Sequence, residues 1–158
     1  MPITPEASNL SLINYKFKLS ATPNVEYRVQ SAQLPGITLG TATIQSPFSP
    51  IRLSGNVTYD ELALTFLVGE NMRDYMEIYN WIMKLGYPED LKQYDGQQYE
   101  ASLMILNSTF QPIYKFNFTN VIPTSLSSLS FDSTLQDVQY AQASISMSFT
   151  TMRVEDLS

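Results

Sequence analysis

Apolar and polar positions along this chain change their period once, between Leu62 and Pro88. Leu62, Leu64, Phe66 and Val68 alternate with Ala63, Thr65 and Leu67, the two-residue period of a strand. Gly69 and Glu70 break the pattern, and from Met72 the spacing is helical. Arg73, Glu77, Asn80 and Lys84 form a narrow polar stripe, while nearly everything else up to Leu85 is apolar or aromatic. A helix wet along so thin a stripe is covered over most of its circumference. Its own sheet covers one side, and a long loop or another subunit covers part of the rest. Met72, Tyr75, Ile78, Tyr79, Trp81, Ile82 and Leu85 are its expected packing positions. Asn71 is the expected N-cap, Gly86 suits a left-handed C′ position, and Pro88 stops the helix.

The rest of the chain reads as strands. Residues 1–13 form an irregular arm. Tyr15, Phe17 and Leu19 point inward against Lys16, Lys18 and Ser20. After a turn at Thr22-Pro23-Asn24, the alternation of Val25, Tyr27 and Val29 predicts a second strand hairpinned to the first. Leu34-Pro35-Gly36-Ile37 fits a type II turn with positive φ at Gly36. Residues 36–56 offer few core positions and bend at Pro47 and Pro50, so they read as an extended excursion before a strand over Val57–Val68. A polar segment, 89–98, holds the Asp95-Gly96 turn signal. Ala101, Leu103 and Ile105, then Tyr114, Phe116 and Phe118, predict a hairpin turning at Asn107-Ser108-Thr109 and ending at Val121-Ile122-Pro123-Thr124. Ser125–Thr134 reads as a connection. The longest predicted strand sets Ala141, Ala143, Ile145, Met147 and Phe149 against Gln142, Ser144, Ser146, Ser148 and Thr150, and a short acidic tail follows from Arg153. The expected fold is mainly β: an antiparallel β-sandwich or partly closed barrel of about seven or eight strands with one flanking α-helix. No second domain is visible, so residues 1–158 read as one.

Composition narrows the function. Charged residues are only 15%, against roughly 25% in soluble domains, with Ser, Thr, Asn and Gln in their place. Such a surface belongs either to a protein buried in an assembly or to an ordinary β-rich domain. Cysteine and histidine are both absent. That removes disulfides, thiol nucleophiles, thiolate metal ligands, the commonest general base and any Ser-His-Asp triad. No enzyme activity, metal or cofactor is expected. A net charge of −6 offers no basic footprint for gripping nucleic acid. Met1–Leu12 has no leader pattern and no stretch is long enough for a membrane span, so assembly in a cytoplasm is expected.

The remaining motifs favour bland readings. Asp60-Glu61 and Glu89-Asp90 are adjacent acids, which on a strand point to opposite faces, and with Asp132 and Asp137 they read as solvated turn acids. Gly36–Gly40 lacks the Lys-Ser/Thr of a phosphate loop. Tyr114, Phe116 and Phe118 read as core rather than as a stacking platform.

Taken in order, these segments resemble a family. The Leu34-Pro35-Gly36-Ile37 turn, the excursion ending near Pro47-Phe48, the helix with its central Tyr79-Asn80-Trp81 and the downstream Ile122-Pro123-Thr124 are similar to the tail tube proteins of contractile-tailed bacteriophages. The resemblance extends to the hemolysin-coregulated protein, which is the tube subunit of type VI secretion, to bacteriocin tubes and to baseplate tube initiators. It implies hexameric rings, joined sheet edge to sheet edge and stacked into a hollow conduit for genome ejection. It implies as partners the chain itself, a sheath protein, a baseplate initiator and a tail terminator, with DNA passing through without specific binding, in a virion tail assembled in the host cytoplasm. Within that frame, Gln142, Ser144, Ser146, Ser148 and Thr150 are candidate lumen-facing residues. Lys16 and Lys18 count against the face of the Tyr15–Leu19 segment. Leu39, Ile44, Pro47, Phe48 and Ile51 are candidate contacts between subunits. A baseplate initiator of the same fold is the alternative, and a monomeric glycan-binding β-module is the reading from another class.

Overall fold

The computed structural model describes residues 9–21, 23–26, 28–87, 89 and 99–157. The expected turn at Asp95-Gly96 lies outside the described residues, as does Tyr27. In chain order the elements are β1 (Tyr15–Leu19), α1 (Pro23–Glu26), β2 (Val29–Gln33), β3 (Ile37–Ile44), β4 (Ile51–Tyr59), β5 (Leu62–Leu67), α2 (Arg73–Gly86), β6 (Tyr99–Leu106), β7 (Pro112–Leu126), β8 (Gln142–Ser148) and β9 (Thr151–Asp156). The fold is mainly β, antiparallel throughout, with one long helix.

The main sheet runs β1-β6-β7-β8-β5-β2, and β9 adds to β7. It does not close, because β1 and β2 do not pair. The sheet folds over on itself through β7. Tyr114–Thr119 pair with β9, Ile122–Leu126 pair with β8, and Asn120 between them has φ 53°. Positive φ at a short amide side chain is tolerated, and it turns the strand from one layer into the other. The layers enclose one core. Phe17 and Leu19 of β1, Leu103 of β6 and Phe118 of β7 meet Leu62, Leu64 and Phe66 of β5 and Ile145 and Met147 of β8. Ile78 and Trp81 of α2 complete it, with the indole edge-on to Tyr99 at 5.4 Å between ring centres.

Several expectations are corrected. Val25 is buried, but in α1, and β2 pairs with β5 rather than with β1. Strand β1 instead pairs with β6, setting Phe17 opposite Leu103 and Leu19 opposite Ala101. Gly36 is not in the left-handed region; a Cβ there would come within 2.5 Å of Asp60 Oδ2, the end of an exposed side chain that can turn aside. The Asp60 N–H donates to the Gly36 carbonyl at 3.0 Å, closing the base of the β3–β4 hairpin. Val57–Tyr59 belong to that hairpin and not to the strand feeding α2. Gly86 is the last residue of the helix, and Tyr87 caps it by donating its N–H to the Met83 carbonyl at 2.8 Å. The N-cap is Met72 at φ 55°, without a side-chain bond. Asn71 still serves the first turn, since its Oδ1 accepts the Arg73 N–H at 3.2 Å.

Two further corrections concern the last third of the chain. Strand β7 continues past Val121-Ile122-Pro123-Thr124 to Leu126, a length of 15 residues, which makes it longer than β8. Pro123 is accommodated at a shift in the β7–β8 register, where a ladder N–H is dispensable. Much of the expected acidic tail is strand β9, with Arg153 opposite Asn117 and Glu155 opposite Lys115.

Candidate functional site

The outer surfaces of the two layers differ in chemistry. On the β2-β5-β8 side, alternation sends Ala143, Ile145 and Met147 inward and Gln142, Ser144, Ser146 and Ser148 outward. Register places Ser144 opposite Thr65 and Ser146 opposite Ala63, while Thr65 stands opposite Ser31 and Ala63 opposite Gln33. The hydroxyls and amides satisfy one another. Thr65 and Ser144 hydroxyls lie 3.3 Å apart, the Gln142 amide donates to Gln30 Oε1 at 2.9 Å, and Thr124 Oγ1 donates to the Ser146 carbonyl at 3.0 Å. These facing rows contain no formal charge. Thr150 is not among them; it lies between β8 and β9, its N–H on the Thr119 carbonyl at 3.0 Å.

The opposite layer carries charge. Lys16 and Lys18 of β1 share a face with Ser102 and Met104 of β6, Lys115 and Asn117 of β7, and Arg153 and Glu155 of β9. A cavity of about 590 Å³ on this side is lined by Lys18, Glu26, Glu100, Lys115, Arg153 and Glu155 among others. Acids and bases alternate across it, so it presents no uniform field to a ligand of either sign.

The third surface is the β3–β4 hairpin, a separate two-stranded sheet. Every residue of both strands is exposed, including Leu39, Ile44 and Ile51, and the tip residues Pro47 and Phe48 are exposed too. The excursion predicted from sequence is therefore a regular ribbon, about 26 Å long at ~3.3 Å per residue. Its register slips where Gly40 faces Gly55 and Asn56. A Cβ on Gly55 would lie 3.0 Å from the Gly40 carbonyl oxygen, tighter than ordinary van der Waals contact, so the bulge favours glycine there. The slip leaves the ribbon apolar on two different faces. Ile37 and Leu39, paired with Tyr59 and Val57, lie on one face of the root; Ala42 and Ile44, paired with Leu53 and Ile51, lie on the other face toward the tip. The root meets the body through Tyr59, packed at 5.5 Å from the Phe149 ring.

Helix α2 is less dependent on outside cover than its sequence predicts. Its own sheet buries Ile78 and Trp81 and half-buries Met72, Tyr75, Ile82 and Leu85. Tyr79 is exposed with Met76 and Met83, giving an apolar stripe on the outward side. The residue missed from sequence is Asp74, which sits in the first turn yet is only 2% exposed. Its carboxylate accepts the Gly69 N–H at 3.0 and 3.2 Å and lies 3.9 Å from Arg28 Nε. It ties the end of β5 and the segment before β2 to the helix start. The S/T/D/N-at-a-helix-start signal was readable, but Asn71 answered it first.

Among the described residues, no three of His, Cys, Asp or Glu gather to hold a metal ion, and no helix is long and apolar enough to cross a membrane. Asp132 is held below the usual carboxylate range by the Thr134 hydroxyl at 2.6 Å and then by the Thr134 N–H at 2.9 Å, a solvated Asx turn. Unpaired sheet borders, an apolar ribbon in water and two chemically distinct sheet faces define a structural subunit that assembles. The family of the T4-like virus tail tube protein gp19 matches residues 13–153, and the chain belongs to it: it is a structural subunit of a contractile tail tube. Its fold is similar to the tube-terminating cap of the anti-feeding prophage, with TM-score 0.74 and 16% identity over 98% of this chain and 96% of that one. It is similar to a chain of the PVC sheath–tube complex, an extracellular contractile injection system in its extended state, at TM-score 0.71 and 16% identity over 96% and 94%. It also resembles Hcp1 from Salmonella typhimurium, at TM-score 0.51 and 14% identity over 91% and 87%. No curated protein sequence matches it.

Proposed function

We propose that the chain, as a single domain, forms hexameric rings that stack into the tube, with the β1 border of one copy joining the β2 border of the next. The observation that carries this reading is the open sheet, whose two end strands have no further strand partner among the described residues of one copy. Unpaired borders aggregate unless blocked or joined, and joining them head to tail closes a ring. The role is architectural and not catalytic. The uncharged rows of Gln142, Ser144, Ser146 and Ser148 line the conduit, because hydroxyls and amides give a polyanion such as DNA neither the attraction of Lys and Arg nor the repulsion of carboxylates. The exposed Met76, Tyr79 and Met83 stripe faces outward to the sheath, and a tail terminator and a baseplate initiator meet the tube at its ends. The assembly belongs to a virion tail built in the host cytoplasm.

Negative-stain microscopy of the concentrated protein tests the ring: annular particles and tubes are expected, and a chain that stays monomeric with or without its initiator removes the proposal. Rings that never stack favour the baseplate initiator. The lumen assignment has its own test, because the chain lacks cysteine. In assembled tubes Ser144→Cys resists a bulky polyethylene glycol maleimide while Lys18→Cys reacts; the reverse pattern turns the layers round.

A further inference from the structure

The gap between β1 and β2 opens onto the core. Leu12, Leu34, Leu103, Ile105, Ile113 and Phe116 line a cavity of about 430 Å³ there, with Ser11 and Asn14 as its polar wall residues apart from the hydroxyls of Tyr15 and Tyr114. Its walls come from β6, β7, the segment that leads into β1 and the end of β2, so it lies at the seam where the sheet fails to close. A dry cavity of about 150 Å³ already takes up benzene, so this one has room for a phenyl ring and an aliphatic neighbour.

The same chain carries a matching projection. Phe48 is 96% exposed at the tip of the ribbon, held between Pro47 and Pro50, which restrict the backbone on both sides. Behind it Ile44, Ile51 and Leu53 occupy the ribbon face that the body does not touch. Phe48 does not enter the cavity of its own chain, since it is in water.

We propose that Phe48 of one copy seats in the seam cavity of a second copy, with Ile44 and Ile51 packing on its rim. This rests on the tube reading and assigns the arm its receiving site. The uncharged tip suits an uncharged seat: from Ile37 to Tyr59 the single charged residue, Arg52, is paired with Thr43 on the ribbon face opposite Ile44 and Ile51. Knob and hole lie on different parts of one surface, so the contact is heterologous and propagates from copy to copy. It also closes the seam that a lone copy leaves open to water.

The test uses the full chain in two variants. Phe48→Asp removes the knob and keeps the hole; Ile113→Asp removes the hole and keeps the knob. Each alone is expected to lose tubes, with at least a tenfold fall in the polymerised fraction by sedimentation. Mixed in equal amounts, they can make one kind of contact, so the mixture shows particles of twice the mass that either shows alone and nothing longer. Tubes formed by Ile113→Asp as by the wild type overturn the proposal while leaving the tube reading intact. Tubes formed by Phe48→Asp but not by Ile113→Asp also overturn it, because another segment then fills the seam. A wild-type chain that never associates removes both. Should Ile113→Asp fail to fold, Ser49→Cys with Leu12→Cys, which keeps the Phe48 ring, decides: both positions are exposed, and an oxidised ladder of linked copies supports the seat, whereas its absence from intact tubes overturns it.

Discussion

The sandwich body and the β3–β4 ribbon are built from the same residue types and meet opposite fates. In the body, strand alternation puts Leu62, Leu64 and Phe66 out of contact with water. In the ribbon Leu39, Leu53 and Val57 remain about half exposed. A two-stranded ribbon alone is marginal in water, having no third strand or helix to cover its apolar side. The body therefore buries its apolar side chains in its own contacts, whereas those of the ribbon stay exposed in the single chain. Stability and assembly should accordingly separate by region.

The largest effect is expected in the body. Ile145→Pro places a proline in β8, which is bonded on both sides to β5 and β7, and should leave no cooperative unfolding transition by circular dichroism. Next, Trp81→Ala should cost about 3–5 kcal/mol in urea unfolding, because the indole is 4% exposed and packs on Tyr99. A loss under about 1 kcal/mol would mean that the helix is not part of the core. Asp74→Ala strips the buried Gly69 N–H of its acceptor and should cost about 1–3 kcal/mol, with Asp74→Asn recovering part of it. The ribbon should behave in the opposite way: Phe48→Ala should move the unfolding free energy by less than about 0.5 kcal/mol while reducing tube formation. A Phe48→Ala chain that unfolds more easily would erase the distinction between the regions.

The smallest effect is electrostatic. Asp132 titrates below the ordinary range because Thr134 bonds its charged form. Its contribution to the 132–134 turn is therefore fully present above the ordinary Asp range and is lost as pH falls through the lowered value. Thr134→Ala should return the Asp132 carboxyl toward the ordinary value in an NMR titration, without changing assembly near neutral pH.

Local pattern made much of the body legible. The β5–α2 unit, the inward faces of β1, β6 and β8 and the β6–β7 turn follow from period and turn chemistry, the last fixed by Asn107 Oδ1 accepting the N–H groups of Thr109 and Gln111 at 3.0 and 2.9 Å. Pairing was less legible, because it depends on partners far away in sequence. Strand β2 looks like the return of β1, yet its partner is β5, some thirty residues on. Pro123 reads as a stop, but the β7–β8 register shifts just beyond it and the missing N–H is not needed. Strand β9 carries Arg153 and Glu155 on a solvated face and so has little apolar signal. Of the surfaces, the hydroxyl face of β8 and the reach of the arm were readable from residue type. The seam and the bulge were not, since both arise from register.

The bulge at Gly40 and Gly55 has a consequence for how a tube grows. A ribbon greasy on one side at its root and on the other at its tip hides its apolar side chains only when cover comes from both sides. In a free subunit both apolar sides stay in water, and two subunits meeting in solution cover little of either. A growing end presents that cover already arranged. Elongation from a seed should thus outrun spontaneous initiation, which keeps a pool of chains in reserve until a template is ready.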